Sequence, residues 1–61
     1  MEKRYLSPKE LSEYLGVSIN TIYGWVSQKK IPYKKLGRLV RFSVEEIDEW
    51  VKQNSVATYD I

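Results

Sequence analysis

The sequence predicts a mostly α fold: three short helices, with one small β-hairpin between the second and third. Three observations predict it. Apolar residues recur at helical spacing in three stretches, each opened by a capping serine: Ser7, Ser18 and Ser43. Only Gly16 and Val17 separate the first stretch from the second cap, so the first two helices meet in a tight join. Gly37-Arg38 sits between the short runs Tyr33–Leu36 and Leu39–Phe42, and a two-residue loop with glycine first is a type II′ hairpin turn.

Each element has its own signals. In the first helix Ser7 caps, Pro8 suits the first position and Glu10 stands where a capping-box carboxylate reaches back. Leu11, Tyr14 and Leu15 form its apolar stripe, Leu6 staples the entry, and Gly16 closes it. The second helix runs from its Ser18 cap to Gln28. Ile22, Trp25 and Val26 share one face with Ile19 at the edge, Val17 is a buried turn residue, and Asn20, Gly24 and Ser27 point the other way. Thr21, Tyr23 and Gln28 flank that face. Ile31-Pro32 then stops any helix. The hairpin register sets Tyr33 opposite Phe42 and Lys34 opposite Arg41. Tyr33, Val40 and Phe42 take the core side, the Lys35 stem its edge, Lys34 and Arg41 the outer side, and Arg38 the tip. The third helix has a Ser43 cap, a second capping box through Glu46, and a stripe of Val44, Ile47, Trp50 and Val51. Glu45, Asp48 and Glu49 face outward and Asn54 is a stop. Residues 1–54 form one domain, and residues 55–61, without periodicity, are expected to fray. Trp25 and Trp50 lie on apolar faces and read as core rather than as platforms for a base.

Size and charge narrow the function. Sixty-one residues make one domain with no deep substrate pocket. There is no His and no Cys. The commonest acid-base and nucleophilic side chains are therefore missing, as is any Cys/His metal set, and neither enzyme activity nor a cofactor is expected. No stretch resembles a signal peptide or approaches the roughly 20 apolar residues of a membrane span, so a cytoplasmic protein is expected. The net charge of +2 conceals a strong polarity. Residues 1–28 balance to zero. Residues 29–41 carry Lys29, Lys30, Lys34, Lys35, Arg38 and Arg41 with no acid, a net +6. Residues 42–61 sum to −4. Clustering of this kind points to an anionic partner at the middle segment. Lys34 opposite Arg41 adds to this, since like charges across a strand pair repel unless an anion lies over them.

A helix joined this tightly to its predecessor is the helix-turn-helix arrangement, whose second helix enters the DNA major groove, and an αα-hairpin of an unrelated bundle shares the same join. With the basic hairpin as a wing and the C-terminal helix behind it, the fold class is a three-helix winged helix-turn-helix, and the expected partner is double-stranded DNA. Lys29, Lys30, Lys34, Lys35, Arg38 and Arg41 would supply phosphate contacts, giving a log K against log salt slope of about −5. Arg38 has a second use, reading the width of a narrow minor groove. Base reading falls to Asn20, Thr21, Ser27 and Gln28: Asn and Gln pair with adenine bidentately, and a Thr methyl meets a thymine methyl. Tyr23 has a hydroxyl for phosphate. Lys29 and Lys30 also suit the C-terminal dipole of the second helix. A mid-helix glycine at Gly24 costs about 1 kcal/mol relative to alanine, and either backbone approach to DNA or drift at a tolerant site accounts for it.

Leu6-Ser7-Pro8-Lys9-Glu10-Leu11, Leu15-Gly16-Val17-Ser18, Thr21-Ile22-Tyr23, Trp25-Val26, Ile31-Pro32, Leu36-Gly37-Arg38 and Arg41-Phe42 resemble the excisionase-type winged helix-turn-helix group related to the MerR DNA-binding domain. The resemblance covers roughly residues 5–53. It implies DNA binding without catalysis, in excision of phage or mobile elements or in transcriptional control, with an integrase or other recombinase as a second partner. It carries recognition-helix roles to Ser18, Asn20, Thr21, Tyr23 and Gly24, and wing roles to Lys35, Gly37, Arg38 and Arg41. Gly24 departs from the long basic residue usual in such proteins. MerR-type regulators dimerise through a long helix after the DNA-binding part. The sequence shows none, so a monomer in solution is expected, with any cooperativity arising on DNA. The rival expectation is a protein-interaction module that docks a basic partner on the acidic third helix.

Overall fold

Caps and turns set the boundaries of every element in the computed structural model, which describes residues 4–55. In order these are β1 (Tyr5–Leu6), α1 (Pro8–Leu15), α2 (Ile19–Ser27), β2 (Lys34–Leu36), β3 (Leu39–Ser43) and α3 (Val44–Gln53). The Ser7 capping box is complete: Glu10 N–H donates to Ser7 Oγ at 3.2 Å, and Ser7 N–H donates to Glu10 Oε1 at 2.9 Å. Gly16 closes α1 at φ +71°, and the amides of Gly16 and Val17 both donate to the Ser12 carbonyl. That left-handed turn releases the chain into Ser18, which caps α2 by accepting from Thr21 N–H at 3.1 Å. Asn54 ends α3, and its side-chain amide donates to the Trp50 carbonyl at 2.8 Å.

The hairpin has the expected register, Lys34↔Arg41, Lys35↔Val40 and Leu36↔Leu39. Gly37 has φ +65° and Arg38 does not share the positive φ, the sign pattern of a II′ turn. Tyr33 lies just outside the ladder and packs on the core without pairing. The sheet also has a third strand that the sequence does not announce. β1 pairs antiparallel with β3, Tyr5↔Ser43 and Leu6↔Phe42, giving the order β1-β3-β2. Two residues ahead of a helix cap carry no periodicity. Leu6, expected only as a staple, is a buried member of the core.

That core is small. Leu6, Leu11, Ile22, Ile31, Phe42 and Ile47 form it, one from each element except β2 and Ile31 from the segment between α2 and β2. Leu15, Val17, Trp25, Val26, Tyr33, Val40, Val44 and Trp50 are half-buried around it. Val17 is therefore a rim residue rather than a fully buried one. Two stripe assignments need correction. Tyr14 is half exposed, because Leu11 already takes the core contact of this eight-residue helix. Tyr14 reaches α3 instead, its hydroxyl donating to Asp48 Oδ1 at 2.7 Å. That hydrogen bond to a carboxylate, helped by the adjacent negative charge, raises the phenol above its ordinary pKa. Val51 is exposed at the margin of α3, whose buried face is Val44, Ile47 and Trp50.

The second capping box is also corrected. Glu46 N–H donates to Ser43 Oγ at 3.4 Å, but the Glu46 carboxylate does not return to the cap. It accepts instead from Lys34 Nζ at 3.2 Å. An anion for Lys34, though not for Arg41, is thus supplied from within, and this contact ties β2 to the first turn of α3. Of residues 55–61, expected to fray, only Ser55 is described, and it is held to α3, its N–H donating to Lys52 O at 3.2 Å and its hydroxyl to Val51 O at 2.8 Å; residues 56–61 lie outside the described part. No described helix is long and apolar enough to cross a membrane.

Candidate nucleic-acid interface

Packing leaves one side of α2 open. Ile22 is fully buried and Trp25 and Val26 pack against the core, so the remaining residues project away from it. Asn20, Tyr23, Ser27 and Gln28 are exposed, and Ile19 joins them at the rim. Ser18 and Thr21 are differently placed. Their hydroxyls bond each other at 2.9 Å beside the cap, so their polar atoms are engaged in starting the helix. Thr21 itself is half-buried.

Gly24 lies on the open side. A Cβ built there meets nothing within 4 Å, and its φ is in the ordinary range. No packing inside the molecule therefore asks for glycine. Gly24→Ala is expected to stabilise the free protein by about 1 kcal/mol, from helix propensity alone. Thermal unfolding checks this, and a drop in stability would show an unrecognised constraint at this position.

The end of α2 is built with unusual care. Lys29 takes the left-handed conformation at φ +58°, the one positive-φ residue other than glycine among the described residues. Lys29 N–H donates to Val26 O at 3.0 Å and Lys30 N–H to Trp25 O at 2.8 Å, the paired bonds of a Schellman closure. A lysine in that conformation is strained relative to glycine. The compensation comes from α3, where the Trp50 indole N–H donates to the Lys30 carbonyl at 2.8 Å. The Trp50 ring also meets Trp25 edge-on, centroids 5.3 Å apart at 63°. The two tryptophans pack at the core as the sequence suggests, but the polar tie from Trp50 to Lys30 was not legible. It fixes where Lys29 and Lys30 sit at the end of α2. Trp50→Phe is expected to cost about 0.5–1.5 kcal/mol, the net contribution of one intramolecular hydrogen bond. Chemical denaturation measures it, and an unchanged midpoint would show that the tie contributes nothing.

The wing residues divide by their partners. Lys35, Gly37 and Arg38 are exposed. Arg41 is half-buried and its Nη1 donates to the Val40 carbonyl at 2.8 Å, which leaves its charge uncompensated. Lys29, Lys30, Lys35, Arg38 and Arg41 make no ion pair with any described residue, whereas Lys34 pairs with Glu46. Five of the six cations of residues 29–41 are thus available to an external anion. Two leucines escaped the sequence reading as candidates: Leu36 and Leu39 flank the turn and are both exposed. The register that sends Val40 and Phe42 inward also sends these two outward, and that signal was present in the hairpin alternation.

Helix, tight turn, second helix with an open polar side, and basic two-stranded wing together make the frame of a DNA-reading module. No curated protein matches the sequence. A family model described as a helix-turn-helix domain matches residues 5–55, from β1 to just past the end of α3. The chain belongs to the helix-turn-helix domain family of DNA-binding proteins.

Proposed function

We propose that this protein reads a specific sequence in double-stranded DNA, with α2 in the major groove and the β2–β3 wing on the backbone or in the adjacent minor groove. Asn20, Thr21, Ser27 and Gln28 contact base edges. Tyr23 contacts phosphate, Gly24 lets the helix backbone approach, and Ser18 holds the first turn in place. Lys29, Lys30, Lys35, Arg38 and Arg41 neutralise phosphates, Gly37 shapes the tip, and Lys34 serves mainly to brace the wing on α3. The observation that carries this reading is the set of five cations with no described counter-ion, directly following the open side of α2.

The biological role that fits best is an excisionase-type directionality factor or a small transcriptional regulator of a phage or mobile element, related to the MerR DNA-binding domain. The protein acts without catalysis in the cytoplasm, as a monomer that assembles cooperatively on DNA, with residues 1–54 as the working unit. An integrase is a fitting second partner in the excision role. Docking through the acidic α3 as the main function is less well supported. Glu45 lies near Arg4, Glu46 pairs with Lys34 and Asp48 accepts from Tyr14, so much of that face already has internal partners.

Fluorescence anisotropy with duplexes selected from a random pool tests the reading. Enrichment of one sequence is expected, with a log K against log salt slope of about −4.5 for five phosphate contacts. Failure to enrich any sequence, or affinity insensitive to salt, would overturn it.

A further inference from the structure

The outer face of the wing ends in an apolar pair. In the ladder, Lys34↔Arg41 and Leu36↔Leu39 occupy one face and Lys35↔Val40 the other. Val40 and Phe42 turn toward the core, so Leu36 and Leu39 turn away from it. They are 53% and 54% exposed, side by side at the turn, where polar residues are the ordinary choice. Arg38 is in the turn beside them, and Arg41 lies next along the same face. Leu36 lies on the edge strand β2 and Leu39 opposite it on β3, and an exposed apolar pair at a hairpin tip with an open edge is a liability for a free protein. It gains nothing from the core, which Phe42 and Val40 already cover.

We propose that Leu36 and Leu39 form an apolar wedge that enters the minor groove of bound duplex and partly unstacks one base step, bending the DNA. The inference rests on the DNA-reading function above and adds how the wing acts. Charge selects the occupant. The pair lies within a segment of six cations and no acid, a setting that suits polyanionic DNA and repels an ordinary basic protein partner. Size agrees with this. Two leucines make a patch far smaller than the roughly 1,000 Å² of a specific protein interface, yet they match the one or two apolar side chains that minor-groove architectural proteins insert at a step. A minor groove is about 6 Å wide, too narrow for a hairpin tip until it opens. Entry of the wedge and bending are therefore one event. Arg38 and Arg41, on phosphates to either side, hold the tip in position while the leucines replace base-stacking contacts. A flexible pyrimidine–purine step opens most easily, so the wing reads deformability at a position α2 does not touch.

The test uses the full chain and an end-labelled duplex of about 30 base pairs carrying the sequence the parent selects, a length suited to resolving a single bend. Energy transfer between the ends reports bending and anisotropy reports affinity. The variant is Leu36→Thr/Leu39→Thr, since threonine keeps strand preference and pairs across a ladder. The parent is expected to bend the duplex by roughly 20–90°. The variant is expected to lose more than half of that bend and to bind about tenfold more weakly at every salt concentration, with an unchanged salt slope, because no phosphate contact is removed. Parent-like bending and affinity in the variant would overturn the wedge. So would a fall in salt slope, which would mean that the leucines only hold the hairpin and that Arg38 and Arg41 had been displaced. Loss of binding together with loss of a parent dimer in sedimentation would assign the pair to contacts between copies, and would also overturn it. A parent that binds no duplex would remove the DNA-reading function itself, a result distinct from a parent that binds and a variant that bends equally well.

Discussion

Arg38→Glu/Arg41→Glu is expected to weaken duplex binding at least a hundredfold while leaving the fold intact. The substitution takes residues 29–41 from net +6 to net +2. It removes about two phosphate contacts, so the salt slope should fall in magnitude by about 1.8. It also sets two carboxylates against the DNA backbone, which adds repulsion to the lost attraction. The fold has little to lose. Arg38 is exposed, and the one side-chain hydrogen bond of Arg41 among the described residues runs to the neighbouring Val40 carbonyl. A glutamate at position 41 would face Lys34 across the ladder, and opposite charges there contribute roughly 0.2–1 kcal/mol in favour of pairing. The variant should therefore melt no lower than the parent. A gel shift and a thermal melt on the same preparation check both parts. Parent-like binding by a folded variant would remove the wing from the interface.

Phe42→Ala is expected to remove about half or more of the domain's stability and to leave a measurable unfolded population at room temperature. Phe42 is fully buried on the central strand and pairs with Leu6, and β3 packs against both α1 and α3. Truncating a buried Phe costs about 3–5 kcal/mol in transfer and cavity terms. At roughly 0.05–0.15 kcal/mol per residue, a domain of this length holds only about 3–9 kcal/mol in total. The six-residue core has no second layer to absorb the loss, and there is no cysteine for a disulfide. Circular dichroism should show lost helix at 25 °C, and DNA binding should fall with it. A cooperative melt within a few degrees of the parent would mean that Phe42 does not hold the layers together.

The contrast between these two substitutions matches what was readable in the chain. Local signals carried furthest. The serine caps, Gly16, Gly37 and the hairpin alternation placed all three helices, the turn and the register, because each depends on residues within a few positions of one another. Contacts between distant residues were not legible. β1 is two residues long and exists because β3 offers it an edge. Sequence spacing directs Glu46 to its own cap, whereas a lysine twelve positions away holds it. Spacing puts Trp50 on the apolar face of α3, but its indole N–H finds the Lys30 carbonyl only once α3 has packed beside α2. For the candidate interface, composition identified the cations, but only the folded chain separates Lys34 from the other five. It also assigns the hydroxyls of Ser18 and Thr21 to the cap.

Gly24 adds a specific consequence. The free fold has no use for a glycine there, so its cost of about 1 kcal/mol points outward. If α2 lies with its backbone close to the groove, Gly24→Ala stabilises the protein and weakens its complex. Parent-like affinity would favour drift.

The central claim is that one duplex touches the open side of α2 and the wing together. Titration of isotope-labelled protein with the selected duplex, followed through backbone amide shifts, tests it most directly. The account predicts coincident perturbation of Asn20, Tyr23, Ser27 and Gln28 with Lys35, Arg38 and Leu39, while Glu45, Asp48 and Glu49 stay still. Perturbation of the acidic side of α3, with α2 and the wing unmoved, would contradict it.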